Sequence, residues 1–342
     1  MMTERTKQKI PLVSIVAAIG VILIHSYDVP SYSTVDAGGR IVKFLETWIS
    51  ISLFGHASVS FFFMLSGYLF AHGLYTAKDW WEKLIRRVKS LIPPYLFWCF
   101  MGWLIFFVCS SIPQIGNHMN IKADISVNAL FDTFVAIKYS HHLWYIQVLL
   151  VYCLLGIVLL YVSKKKGTSI VFFAILFMLS LLRFDLSWFR VLRFTSFSIG
   201  FLVEKWKPEL INVNSKKIST ISLVGLVCMS IIITFTNIPV LDRLCYFIFP
   251  IQMWFGFDLV FEKANKSMMI NIAPYSFFIY CAHGILIDCI KEVVSMFGDS
   301  WITMLVSYFV SPAVILGGLL MMLFLLKKVS PKVLSVITGG RS

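Results

Sequence analysis

Long apolar stretches recur along the whole chain, with short polar segments between them and no extended water-soluble block. About 20 apolar residues cross the hydrocarbon layer of a bilayer as a helix. On that scale ten spans are predicted, near residues 10–27, 49–74, 91–111, 143–163, 168–184, 190–204, 217–237, 240–261, 269–289 and 300–326. The fifth and sixth are short. The pattern predicts an all-α fold, a polytopic integral membrane helical bundle formed by a single domain over residues 1–342. The two longest polar intervals, 28–48 and 112–142, read as solvated loops.

Composition excludes the soluble alternative. The chain is 58% hydrophobic and only 14% charged, with a mean hydropathy of +0.83. Ordinary domains are about a quarter charged, and this much Phe, Leu, Ile and Val exceeds what one water-soluble core buries. Charge then orients the spans. With the N-terminus in the cytoplasm, the cytoplasmic segments hold Lys83, Arg86, Arg87 and Lys89, then Lys164 to Lys166, then Lys205, Lys207, Lys216 and Lys217, and finally Lys327 and Lys328. The opposite face holds far fewer cations, among them Arg183, Arg190, Arg193 and Arg243. This asymmetry is the positive-inside pattern and predicts both termini in the cytoplasm. The net charge of +13 is thereby explained as a topology signal, and no nucleic-acid partner is needed. No cleavable signal peptide is apparent, because the first apolar run leads straight into further spans. None of the seven cysteines forms a CxxC pair, so neither a disulfide framework nor a zinc site is supported. No internal repeat of the kind many carriers show is visible.

The candidate chemistry lies in histidines near one end of the bundle. His25 closes the first span, His283 lies about two-thirds of the way along the ninth, and His141 and His142 precede the fourth. In the predicted topology all of them reach the half of the membrane facing away from the basic loops. Each alone also reads as an interfacial histidine bonded to backbone. Two inside spans point to function, because intramembrane ionisable groups cost free energy. A neutral imidazole can take a proton from a hydroxyl, as general-base acyl transfer requires. Metal binding is the weaker alternative, since no carboxylate or cysteine stands at ligand spacing.

Other segments are less specific. Ser66-Gly67, after Phe61-Phe62-Phe63-Met64-Leu65, lets a helix or a ligand approach the backbone closely, and a small-residue packing contact explains it equally well. Lys83, Arg86 and Arg87 fall on one face of a short interfacial helix that Pro93-Pro94 is expected to break or kink. Those cations suit anionic membrane lipid or, alternatively, the phosphates of a nucleotide-bearing donor. Trp144 belongs to an aromatic belt, and Asp258 is an intramembrane charge whose partner the sequence does not name.

The ordered set His25, Phe61 to Tyr68, Lys83 to Arg87 followed by Pro93-Pro94-Tyr95-Leu96, His142-Leu143-Trp144-Tyr145, Phe197 to Gly200, and Ser276 to Tyr280 followed by His283 resembles the acyltransferase 3 family over nearly the whole chain. Those are bacterial integral-membrane enzymes that acylate glycans, most often as O-acetyltransferases. The resemblance implies a protein of the bacterial inner membrane with no bound cofactor, using acyl-CoA, such as acetyl-CoA, as donor substrate. Lys83, Arg86 and Arg87 would hold its phosphates, and Ser66 and Gly67 would line the acyl path. His25 and His283 would be catalytic. His142, Trp144 and Tyr280 would meet a cell-surface, secreted or lipid-linked glycan. Ser14 stands where the family carries a basic residue, eleven positions before His25. A transporter or flippase for a glycan is the competing reading of the same histidines. Nothing in the sequence sets the oligomeric state.

Overall fold

The computed structural model describes residues 2–26, 37–112, 123–185, 189–236, 238–266, 269–295 and 300–340, with the side chains of 288, 289 and 291–295 left aside. Parts of both expected loops, and Lys122 and Arg341, lie outside these residues. The described chain is helical throughout and contains no β-strand among its elements. The helices used below are α1 (Glu4–Ser26), α2 (Ala37–Glu46), α3 (His56–Ala71), α4 (Ala77–Ser111), α5 (Trp144–Ser163), α6 (Lys166–Leu181), α7 (Val191–Trp206), α8 (Lys216–Phe235), α9 (Pro239–Gly256), α10 (Ser276–Ser295) and α11 (Trp301–Val329).

Among the described residues, seven helical stretches are long and apolar enough to cross a membrane. The other three predicted spans coincide with α6, α7 and α9. Of these, α6 has 16 residues, and α7 and α9 carry Arg193, Glu204, Asp242 and Arg243 within their turns. The protein is a polytopic helical membrane protein. Its outer helices keep their apolar side chains uncovered, as at Ile221 and Val224 of α8 and Met321 and Phe324 of α11, which is the surface a lipid tail would meet.

Three local features differ from the sequence expectation. Residues 37–46, read as loop, form α2, because Val42 has a hydrophobic seat against Met304 and Gly38 lies under the Trp301 ring. Val127–Phe134 in the second expected loop is also helical, capped by the Ser126 side chain, which accepts from the Ala129 N–H. The Pro93-Pro94 pair does not break its helix. A capping box between Thr76 and Asp79 starts α4, which runs through both prolines for 35 residues. At 1.5 Å per residue that is about 52 Å, well beyond a hydrocarbon layer of about 30 Å, so its first turns extend past the apolar layer.

Between α2 and α3 the helix widens. Thr47–Gly55 is a π-helical segment of nine residues, a geometry that normally appears as single turns. Its hydroxyls anchor it: Ser50 Oγ donates to the Leu23 carbonyl of α1 at 2.7 Å, and Thr234 of α8 donates to Ser52 Oγ at 2.8 Å.

The tightest seam of the bundle joins α3 to α7. A Cβ on Gly67 would lie 2.0 Å from the Phe197 carbonyl oxygen, and one on Gly200 would lie 1.8 Å from the Met64 carbonyl oxygen. Only two glycines facing each other's backbones allow this approach, the small-residue logic of membrane helix packing. Asp258, just past the end of α9, meets Arg5 at 2.5 Å and Lys9 at 2.7 Å, both on the first turns of α1. Lys9 is buried, with its ammonium 4.1 Å from the Trp254 ring centre. Ser14 is also buried, and its hydroxyl donates back to the Ile10 carbonyl at 2.8 Å.

Candidate active site

The helix ends bring the predicted histidines together. His25, on the last turn of α1, lies with its ring centre 5.3 Å from that of His283 on α10 and 6.1 Å from that of His141. His142 and His283 are 5.1 Å apart, and His141 and His142 6.2 Å. Accessibility is graded across the group: His141 is exposed, His25 half-buried, and His142 and His283 are buried. The cluster thus runs from solvent inward, and His25 sits in the middle of it.

Backbone carbonyls fix the two buried rings. His283 Nδ1 lies 2.6 Å from the Tyr280 carbonyl, and His142 Nε2 lies 2.9 Å from the Cys281 carbonyl. A carbonyl only accepts, so each of these nitrogens carries the proton, and the other nitrogen of each ring holds a lone pair. Those nitrogens, His283 Nε2 and His142 Nδ1, are buried and have no hydrogen-bond partner among the described residues. Buried polar atoms are nearly always bonded, so two bare imidazole nitrogens in one cluster mark a place built for something other than packing. Gly284 makes the arrangement possible, because a Cβ there would come within 2.1 Å of His142 Nδ1.

Tyr280 serves this cluster from behind. Its hydroxyl donates to the His142 carbonyl, and its ring lies 5.8 Å from that of His283. Tyr145, one residue beyond Trp144, continues the row. It contacts the Tyr280 ring edge-on at 5.4 Å, exchanges a 2.9 Å hydrogen bond with Ser66 and donates to the Phe62 carbonyl at 3.2 Å. Ser66, Tyr145, Tyr280 and His283 therefore form a continuous line from the middle of α3 to the histidines. Gly67 faces away from this line, into the seam with α7. Trp144 stands two residues from His142, under the Arg190 guanidinium at 4.4 Å.

The predicted cations converge at the other end of α3. Lys83, Arg86, Arg87 and Ser90 of α4, with Leu69 and Phe70 of α3, line a pocket of about 470 Å³. The Lys83 ammonium donates to the His72 carbonyl, and Trp80 pins the same helix to α5 by donating to the Cys153 carbonyl at 3.0 Å. Three cations around one pocket suit a phosphate-bearing molecule. A second, apolar cavity of about 220 Å³ lies between α3, α7 and α9, lined in part by Phe61, Met64, Tyr68 and Trp254. Among the described residues no three His, Cys, Asp or Glu side chains are arranged to hold a metal ion.

The sequence matches the family described as "Acyltransferase domain", acyltransferase 3, over residues 12–323. The chain belongs to this family. It is a membrane acyltransferase, and its reaction joins an acyl donor to an acceptor. Comparison with curated proteins and with solved structures gave no match.

The sequence reading counted His141 among the gathered histidines but gave it, Tyr145 and Gly284 no role of their own. The signals were present but local: His141 adjoins His142, Tyr145 follows Trp144, and Gly284 follows His283. What placed them was contact between α1, α5 and α10, which no spacing along the chain encodes.

Proposed function

We propose that this acyltransferase moves an acyl group, acetyl in the simplest case, from acyl-CoA at the basic end of the bundle to a hydroxyl of a glycan at the histidine end. The observation that carries this reading is the opposition of two sites along α3: a cationic pocket at one end and bare imidazole nitrogens at the other. By the charge asymmetry of the loops, the pocket faces the cytoplasm and the histidines face outward, in a bacterial inner membrane.

Lys83, Arg86 and Arg87 hold the donor's phosphates, and the pantetheine arm extends along the Ser66–Tyr145–Tyr280 line. His25 is the general base, half-buried between solvent and the buried rings. It removes the proton of the acceptor hydroxyl as that oxygen attacks the thioester carbonyl carbon. The carbon–sulfur bond breaks, the imidazolium returns the proton to the departing sulfur, and the products are an O-acyl ester and free CoA. His283 lies close enough to orient the His25 ring and to stabilise its charge. His142 and Trp144 border the acceptor, the indole offering a flat face to a sugar ring.

The test compares wild type with His25→Ala in membranes supplied with radiolabelled acetyl-CoA and cell-envelope glycan. Label should enter the glycan with wild type and not with the variant. Equal transfer by both would remove His25 from catalysis.

A further inference from the structure

A second polar group adjoins Trp144 and is built from three arginines that the acyl-transfer reading does not use. Arg190 is exposed, with its guanidinium over Trp144. Arg193, on the first turn of α7, is half-buried; it donates to Ser60 Oγ at 2.6 Å and lies 4.6 Å from the Tyr246 ring centre. Arg243, at the start of α9, has a buried Nε with no acceptor among the described residues. Arg190 and Arg243 are both within electrostatic reach of Arg193.

Nearby acids make their hydrogen bonds elsewhere. Asp242, within electrostatic reach of Arg243, bonds His56 Nε2 at 2.8 Å, while His56 Nδ1 faces the Ile51 and Ser52 carbonyls. Asp185 accepts from the Val191 N–H at 2.8 Å and so caps α7. Among the described residues, none of the three guanidinium groups has a carboxylate within 4.0 Å. Arg5, by contrast, has Asp258 as its counter-ion at 2.5 Å. A guanidinium presents five donors, and Arg193 directs one at a serine and its face at an aromatic ring. Like charges gathered beside hydrocarbon repel, and such an arrangement persists where an anion joins it.

We infer that Arg190, Arg193 and Arg243 form an anion subsite that holds a carboxylate or phosphate carried by the acceptor. The acceptor is then an acidic glycan: one sugar lies against Trp144, its charged group on the arginines, and its reacting hydroxyl toward His25. This rests on the proposed glycan acceptor, and it names that acceptor's chemical class. The graded exposure from Arg190 inward gives the anion a way in from the surface.

The test uses the full-length protein in phosphatidylcholine nanodiscs, without acyl donor, and measures binding of an oligoglucuronate and of glucose 1-phosphate. Each is paired with its neutral counterpart, the carboxyl-reduced oligosaccharide or glucose. At least one charged ligand should bind about tenfold or more tightly than its neutral partner, a difference of about 1.4 kcal/mol. Arg193→Gln and Arg243→Gln should each remove that preference, and Arg193→Lys should keep part of it. Thermal melting of each variant checks that it is folded, and Arg243→Gln, outside the Ser60 contact, serves if Arg193→Gln does not fold. Equal binding of charged and neutral ligands, or a preference untouched in both glutamine variants, overturns the subsite. Nanodiscs containing phosphatidylglycerol form the second arm. Stabilisation by that lipid alone, lost in Arg193→Gln and blocking the saccharide, would assign the arginines to a headgroup and overturn the acceptor assignment. Charge-selective binding with no label transfer from acyl-CoA would leave the subsite and remove the catalytic reading. Transfer with no charge preference would do the reverse.

Discussion

The two ends of α1 treat polar groups in opposite ways. At its start, Arg5 and Lys9 share one carboxylate, Asp258, and the Lys9–Asp258 pair is sealed, with side chains 2% and 1% exposed. At its finish, His25 meets a group of imidazoles in which two buried nitrogens lack partners among the described residues. The first arrangement is complete in itself and can only hold the bundle together. The second is incomplete, and incompleteness inside a membrane is tolerated where a substrate supplies what is missing.

The contrast separates loss of chemistry from loss of fold. The largest expected effect is on the histidine end: His25→Ala should lower acyl transfer by about a hundred- to ten-thousandfold, the usual range for a general base, while thermal melting of the purified protein stays within about a degree or two. A melting point that falls with the activity would make His25 a packing residue. At the other end, Asp258→Asn leaves the buried Lys9 without its partner. That should destabilise the protein by about 3–5 kcal/mol, seen as early thermal aggregation, with little change in turnover of the fraction that remains folded. Gly284→Ala tests whether the position of His142 matters. The new methyl must displace a ring already tied to the Cys281 carbonyl, so transfer should fall by about tenfold with a small change in stability. The smallest effect belongs to the basic pocket: Arg86→Ala should raise the KM for acyl-CoA by about tenfold and leave kcat nearly unchanged, because a phosphate contact remote from the thioester binds ground and transition states alike.

Much of this contrast could be read from the chain, and the unread part has a common cause. His25, His142 and His283 were legible because topology alone sends all three to one half of the membrane. The cationic face of α4 was legible from helical spacing. Asp258 was visible as a charge, but its partners lie about 250 positions away and no local pattern names them. Gly67 had two readings in the sequence, and the backbone of α7 decides that it packs against a neighbour. Residues 37–46 hid a helix because its apolar side needs Met304 to be worth burying. Pro93-Pro94 predicts a break or a kink from propensity alone, and the packing of Pro94 and Tyr95, both buried, carries α4 through without a break.

The π-helical segment Thr47–Gly55 sets the phase of everything after it. Its i→i+5 turns take up more residues than the α-helix needs for the same advance. Letting its nine residues relax to α geometry would rotate α3 about its axis. His56 would turn away from Asp242, Ser66 from Tyr145, and Gly67 from α7, all in one step. The nine residues thus act as a fixed gear between the outer helix and the catalytic core. Insertions and deletions tolerable elsewhere on the surface should be rejected here, even though no residue of the segment touches the reaction.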